Sequence, residues 1–122
     1  MKLIIAGSRH FILGPEYIDL MIKFHGISGI KEIVSGNAEG VDWAGERYSI
    51  EYLDKEAKTF TADWANLGAA AGPARNKKMA EYGDACLLIW DGKSPGSADM
   101  KAHIIRMKKP LYEVIIKDPL NV

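Results

Sequence analysis

Five short apolar runs divide the chain, and between them lie longer stretches with hydrophobic residues at helical spacing. Lys2–Ala6 (KLIIA) predicts a first strand, closed by Gly7-Ser8-Arg9-His10. Pro15, after Gly14, suits the first turn of a helix running to about Phe24, with Ile18, Met21 and Ile22 on its buried stripe. Lys31–Ser35 (KEIVS) is a second strand, followed by Gly36-Asn37-Ala38-Glu39-Gly40 and a helix to about Leu53. On that helix Val41, Ala44, Gly45, Tyr48 and Tyr52 recur at helical spacing, and Trp43 is assigned to the core. Glu56–Phe60 is a weaker third strand, ending in Thr61-Ala62-Asp63-Trp64, and Ala65–Gly72 is expected to be a packed loop. A further helix starts at Gly72-Pro73-Ala74 and ends at Tyr82-Gly83. Ala85–Trp90 (ACLLIW) is apolar without alternation, the mark of a parallel strand covered on both faces. Asp91–Ser97 is a turn, with Ser97 expected to cap a helix through about Met107 that turns Met100, Ile104 and Met107 inward. Lys108-Lys109-Pro110 closes that helix, Leu111–Ile116 is a fifth strand, and the last few residues are expected to fray.

Strand and helix alternating in this way predict an α/β fold: one domain over 1–122, with an open Rossmann-like parallel sheet of about five strands and helices on both faces. The strand order expected by analogy with other five-stranded doubly wound domains is 3-2-1-4-5, with right-handed crossovers. A (β/α)₈ barrel needs about twice this length.

This order concentrates chemistry on one side of the sheet. Helix-to-strand joins are plain, whereas the strand-to-helix joins are GSRH, SGNAEG, TADW and WDGKSPGS. They fall at the C-terminal edge, where open α/β sheets bind ligands at the reversal of strand order. Gly7, Gly36, Gly40, Gly92 and Gly96 allow close approach of backbone to phosphate. Ser8, Ser35, Ser94 and Ser97 offer hydroxyls, and Arg9 or Arg75 can clamp a phosphate bidentately. Asp42, Asp63 or Asp91 can accept from ribose hydroxyls, and Trp64 and Trp90 are flat faces for a base. Asn37, Glu39 and Asn76 complete the candidate ligand-binding set. Plainer roles compete: Trp90 ends a buried strand, and Glu39 and Asp42 complement a helix dipole. Among the histidines His10 stands beside Arg9, while His25 and His103 are read as surface or satisfied residues.

Sixteen basic residues balance sixteen acidic ones, so phosphate recognition must be local and a nucleic-acid partner is not expected. No apolar run reaches membrane-spanning length and the start reads as a strand rather than a signal peptide, so a cytoplasmic location is expected. The lone Cys86 lies within a buried strand, and no Cys/His cluster has metal spacing, so neither metal nor cofactor is expected. Asp91-Gly92-Lys93-Ser94 imitates the tail of a P-loop, but the first glycine of that motif would fall at Leu87. No G-x-G-x-x-G follows the first strand, and no nucleophile elbow is present.

Taken jointly, IAGSR, SGNAEGVDWAGE, GPARNKKM and DGKSPGSADM resemble the SLOG superfamily. This Rossmann-like group includes relatives of the LOG phosphoribohydrolases and of the DNA-processing protein DprA, and the similarity is greatest to its YspA/YpsA-related branch. The resemblance implies a domain that binds a nucleotide or an ADP-ribose-like derivative, often as a sensor or sequestering protein, with a homodimer possible. Enzyme members carry a loop like PGGxGTxxE and an upstream arginine motif. Pro95–Met100 is similar to the loop, with Gly96-Ser97 for Gly-Thr, and Arg75-Asn76 is similar to the arginine motif. Met100 stands where the resemblance places the catalytic glutamate, and Asp99, one residue away, is turned by about 100° on a helix. The alternative activity is hydrolysis of the N-glycosidic bond of nucleoside 5′-monophosphates. Its candidate catalytic residues are Arg75, Asp99 and Glu39, with Asp91 also considered.

Overall fold

The computed structural model describes residues 1–117. The expected fraying of the last few residues concerns positions outside that range. Strands β1 (Lys2–Gly7), β2 (Glu32–Ser35), β3 (Lys58–Thr59), β4 (Ala85–Trp90) and β5 (Leu111–Ile115) form one parallel sheet in the order β3-β2-β1-β4-β5. The main helices are α1 (Pro15–Phe24), α2 (Val41–Leu53), α4 (Ala71–Tyr82) and α5 (Pro95–Arg106), with a single turn, α3 (Trp64–Leu67), before α4. The expected α/β class and strand order are those observed.

Alternation along the two central strands divides the core. Leu3 and Ile5 of β1 and Ala85, Leu87 and Ile89 of β4 face Ile18, Ile22, Val41, Ala44 and Tyr48 of α1 and α2. The intervening Ile4, Ala6, Cys86, Leu88 and Trp90 face Met79, Ala80, Met100 and Ile104 of α4 and α5. Both faces are thus buried, which is why ACLLIW shows no polar alternation. The helix pair changes sides between β1 and β4, and that is where the strand order reverses. At the opposite edge Lys109 Nζ donates to the carbonyls of Ala80, Glu81 and Gly83, placing a cation at the C-terminal end of α4.

Five local expectations are corrected. The stretch Ala65–Gly72 is helical, made of the rest of α3, a 3₁₀ turn at Gly68–Ala70 and the start of α4. Its alanines are good helix formers, and Asp63 accepts from Asn66 N at 3.3 Å to start the run. Helix α5 begins at Pro95 rather than after Ser97, because proline's fixed φ and missing N–H suit the first helical position. Trp43 is 50% exposed: the buried positions of α2 go to Val41, Asp42, Ala44 and Gly45, and the 100° step turns the indole out. Tyr52 is also exposed, stacked on Tyr48 with ring centroids 4.9 Å apart. The weak third strand is reduced to two exposed residues at the sheet edge.

Gly7 controls how β1 and β4 meet. A Cβ there would lie 1.7 Å from the Ile89 carbonyl oxygen and 2.9 Å from Val41 Cγ2. The close approach lets Ser8 N donate to that carbonyl at 3.1 Å. We expect Gly7→Ala to cost about 3 kcal/mol or more, at or above the upper end of ordinary overpacking, because backbone must move. A lowered denaturation midpoint with an unchanged slope checks this; a midpoint equal to that of the wild type would show that the strands can separate freely.

Candidate functional site

The loops after β1 and β4 meet the starts of α2, α4 and α5 around a crevice of about 300 Å³. Ser8 holds the crevice together. Its carbonyl accepts from Val41 N at 3.3 Å, and its Oγ accepts from Asp91 N at 3.2 Å and lies 3.3 Å from Ser94 Oγ. Asp91 shapes the glycine loop from within: its Oδ1 accepts from Lys93 N, Ser94 N and Ser94 Oγ at 2.8–2.9 Å. These bonds, the Lys93 N–H first among them, hold the carboxyl down at about 2. Asp91 is therefore occupied as a loop brace, with His10 Nε2 3.6 Å from its other oxygen.

One wall is positive. Helix α5 has no side-chain cap, since the Ser94 hydroxyl is directed to Asp91, so the first-turn N–H groups of Gly96 and Ser97 lack an intrahelical acceptor. A Cβ on Gly96 would meet nothing within 4 Å. Asn76 fixes this turn by donating to Gly96 O at 3.2 Å and to Asp99 Oδ2 at 3.1 Å. From α4, Arg75 donates to Gly36 O at 3.1 Å, and its Nε is buried without a partner. Burial lowers the Arg75 pKa, and the Asp42 carboxylate opposes that; a guanidinium stays charged in either case. Exposed Arg9 completes this side.

The Gly36–Gly40 loop is arranged differently from α5. Asn37 N donates to Ser35 Oγ and Ala38 N to Asp42 Oδ2, at 3.1 and 3.2 Å, so both amides are already used. Gly40 has φ of 76°, and a Cβ there would be 2.4 Å from the Ser8 carbonyl oxygen. Two amides of this loop are thus taken up by side chains, whereas the first turn of α5 has no side-chain cap.

The crevice collects Gly7, Ser8, Arg9, Asp42, Arg75, Asn76, Ser94, Gly96 and Ser97 from the predicted set. Gly36, Asn37 and Glu39 line a neighbouring hollow instead, and Gly40 a smaller one with Glu39. Ser35 is fully buried, donating to Glu46 Oε2 at 2.7 Å, and Gly92 sits at φ 81° in the turn. Trp90 is buried in the α4/α5 core and donates from Nε1 to Glu113 Oε2 at 2.8 Å, so its ring has no face on the crevice. Asp99 is held by Asn76, and its Oδ2 lies 3.3 Å from His103 Nε2 without hydrogen-bond alignment. Cys86 is fully buried, which pushes its thiol pKa up. Among the described residues no group of three His, Cys, Asp or Glu is placed to hold a metal ion, and no helix is long and apolar enough to cross a membrane.

Ala38, Met79, Pro95 and Met100 also line the crevice without having been singled out as ligand contacts. Helical spacing marks the methionines as inward, but only the packing shows that they floor a ligand-sized space. Compared with protein-family models, with curated proteins and with solved structures, the chain matches none of them.

Asp42 is the most perturbed group on the crevice. Its side chain is buried, and desolvation pushes its pKa from 3.8 to about 7 against the Ala38 N–H, Arg75 and Arg9, which favour the anion. Glu46 adds a smaller upward push. A raised folded pKa means that the native state holds a proton the unfolded chain releases. The ligand-free protein should therefore lose stability as pH rises from about 4 to about 7, by up to about 4 kcal/mol from this group. Asp42→Asn, which keeps an acceptor for Ala38 N, should remove that fall and be the more stable form at pH 8. Denaturant titrations across this range check it; parallel profiles for the two proteins would show that Asp42 titrates normally.

Proposed function

We propose that the crevice binds the phosphate of a nucleotide or ADP-ribose-like molecule, and that the protein senses or sequesters that molecule as a SLOG-type domain. The observation that carries this reading is the convergence of the uncapped α5 N-terminus, with open space at Gly96, on Arg75 and Ser97 in one concave site. A helix N-terminus with free N–H groups favours an anion. A guanidinium adds a planar, permanently charged clamp. The chain carries no net charge, so this local polarity gives the site its preference. The four motifs that resemble the SLOG superfamily supply these same parts, which supports both the ligand class and the family.

A second reading, release of a base from a nucleoside 5′-monophosphate, is favoured by one observation. Asp42 is a buried carboxyl on the crevice with a pKa of about 7, suited to exchange a proton at neutral pH. Asp91 and Asp99 are committed to loop and helix contacts, and Glu39 is exposed on the adjoining hollow. In that reaction water adds to the sugar carbon as the base departs with a proton.

The test is a thermal-shift screen with AMP, ADP, NAD and ADP-ribose, with chromatography of each mixture afterwards. At a hundredfold excess over Kd a bound ligand stabilises by about 2.7 kcal/mol, which for a domain of this size raises Tm by roughly 10 °C. Arg75→Gln should abolish the shift. Intact ligand supports a binding protein; free base and ribose phosphate, lost in Asp42→Asn, support the hydrolase. No shift with any phosphate-bearing compound, or an undiminished shift in Arg75→Gln, refutes the phosphate site.

A further inference from the structure

We propose that the hollow beside the phosphate crevice, bordered by Trp43 and Trp64, is the subsite for the purine base of the same ligand. The inference rests on the phosphate reading of the crevice and adds what the other end of the molecule must be. The hollow measures about 480 Å³ and shares Arg9, Ala38 and Arg75 with the crevice, so the two are adjoining parts of one cleft. A phosphate held between Arg75 and the α5 N-terminus leaves the rest of its molecule room to run past Ala38 into this space.

The lining has the character of a base site. Trp43 and Trp64 come from different helices, are 50% and 51% exposed, and border the same hollow. Isolated exposed apolar residues need no explanation, but two indoles on one concavity adjoining a polar site form a ligand-sized apolar surface. The Trp64 ring extends to Gly72, where a Cβ would lie 3.4 Å from Cη2. Trp43 also borders the smaller hollow with Phe11, Ile12 and Leu13. Between the indoles stand Asn37, Glu39 and Thr61, able to donate to or accept from ring nitrogens, an exocyclic amine or ribose hydroxyls. Beyond the two shared arginines, the described residues lining the hollow include no cation, which argues against a second phosphate there. Stacking is thereby assigned away from Trp90, whose ring is buried.

The experiment compares AMP with ribose 5-phosphate on the full chain, by calorimetry and by tryptophan emission. We expect AMP to bind more tightly and quench emission, and ribose 5-phosphate to bind without quenching. Trp43→Leu and Trp64→Leu should each weaken AMP roughly 5- to 100-fold, the span that base–aromatic stacking commands, and leave ribose 5-phosphate unchanged. If both compounds bind wild type alike, if either variant binds AMP normally, or if both ligands weaken together, the subsite is refuted while the phosphate site stands. If neither compound binds, the phosphate reading itself fails. Should a variant not fold, wild-type emission decides: quenching by AMP alone supports the subsite, and equal quenching or none refutes it. A dimer in sedimentation that Trp43→Leu dissociates, with AMP affinity intact, would mean that a second copy covers the indoles and would also overturn the proposal.

Discussion

Ser8 is the junction on which the rest of the molecule depends. Its N–H donates to Ile89, its carbonyl accepts from Val41, and its hydroxyl accepts from Asp91 and meets Ser94. These contacts join the end of β1 to the end of β4, the first turn of α2 and the glycine loop before α5. The first of these contacts needs Gly7, because a side chain there would collide with the Ile89 carbonyl. Parallel strands impose this crowding: their C-terminal ends share one edge, and where the order reverses the loops diverge and leave space between them. The crevice is therefore a consequence of topology, and Ser8 and Asp91 keep it from collapsing or opening.

Within that space the polar groups divide into those used by the fold and those left over. Asp91 is consumed by the loop it braces, Ser35 by Glu46, and the amides of Asn37 and Ala38 by nearby side-chain oxygens. Facing the cleft beside them are the α5 first turn, part of the Arg75 guanidinium, Arg9 and the buried Asp42, whose Oδ2 holds the Ala38 amide. Opposing signs on one cleft mean that an anionic guest is attracted by one wall and repelled by an ionised Asp42. Protonation of Asp42 removes the repulsion, so occupancy by an anion and retention of that proton favour each other. A pyrophosphate diester, whose own charge is constant near neutrality, would report that coupling cleanly.

The sheet was legible because its signal is redundant: continuous apolar runs, alternation with helices, and plain joins at one edge with unusual joins at the other. A crevice lies at the sheet edge where the same reading puts the candidate site. What escaped depends on choices periodicity does not make. Val41, Asp42 and Trp43 are consecutive at the start of one helix, and the helical pattern is read as turning the indole inward. Packing gives the position to Asp42, whose carboxyl stays on the cleft, and turns Trp43 out. Ser97 has the chemistry of a cap, but Pro95 starts the helix earlier and leaves Ser97 inside its first turn. The Trp64–Gly72 stretch carries two glycines and no clear stripe, so its helicity rests on alanine content and the Asp63 cap. Trp90 shows a limit of edge arguments: it ends a strand at the crevice edge of the sheet, yet its side chain points into the α4/α5 layer.

The same residues bear on whether a bound molecule would survive intact. If phosphate occupies the crevice and base the hollow, the glycosidic bond falls near the residues common to both: Arg9, Ala38 and Arg75. Asp42 Oδ2 accepts from Ala38 N, so its carboxyl is tied to that boundary rather than to the far wall, where Met100 contributes only apolar surface. In the hydrolytic reading a carboxyl that holds its proton there would protonate a departing base, whereas one that gives it up repels phosphate. Burial sets that balance near neutral pH. Arg75 and Arg9 pull toward the anion, and a guest phosphate, by neutralising them, would pull back toward the acid. In the hydrolytic reading, water would also have to reach the sugar carbon once the cleft is filled.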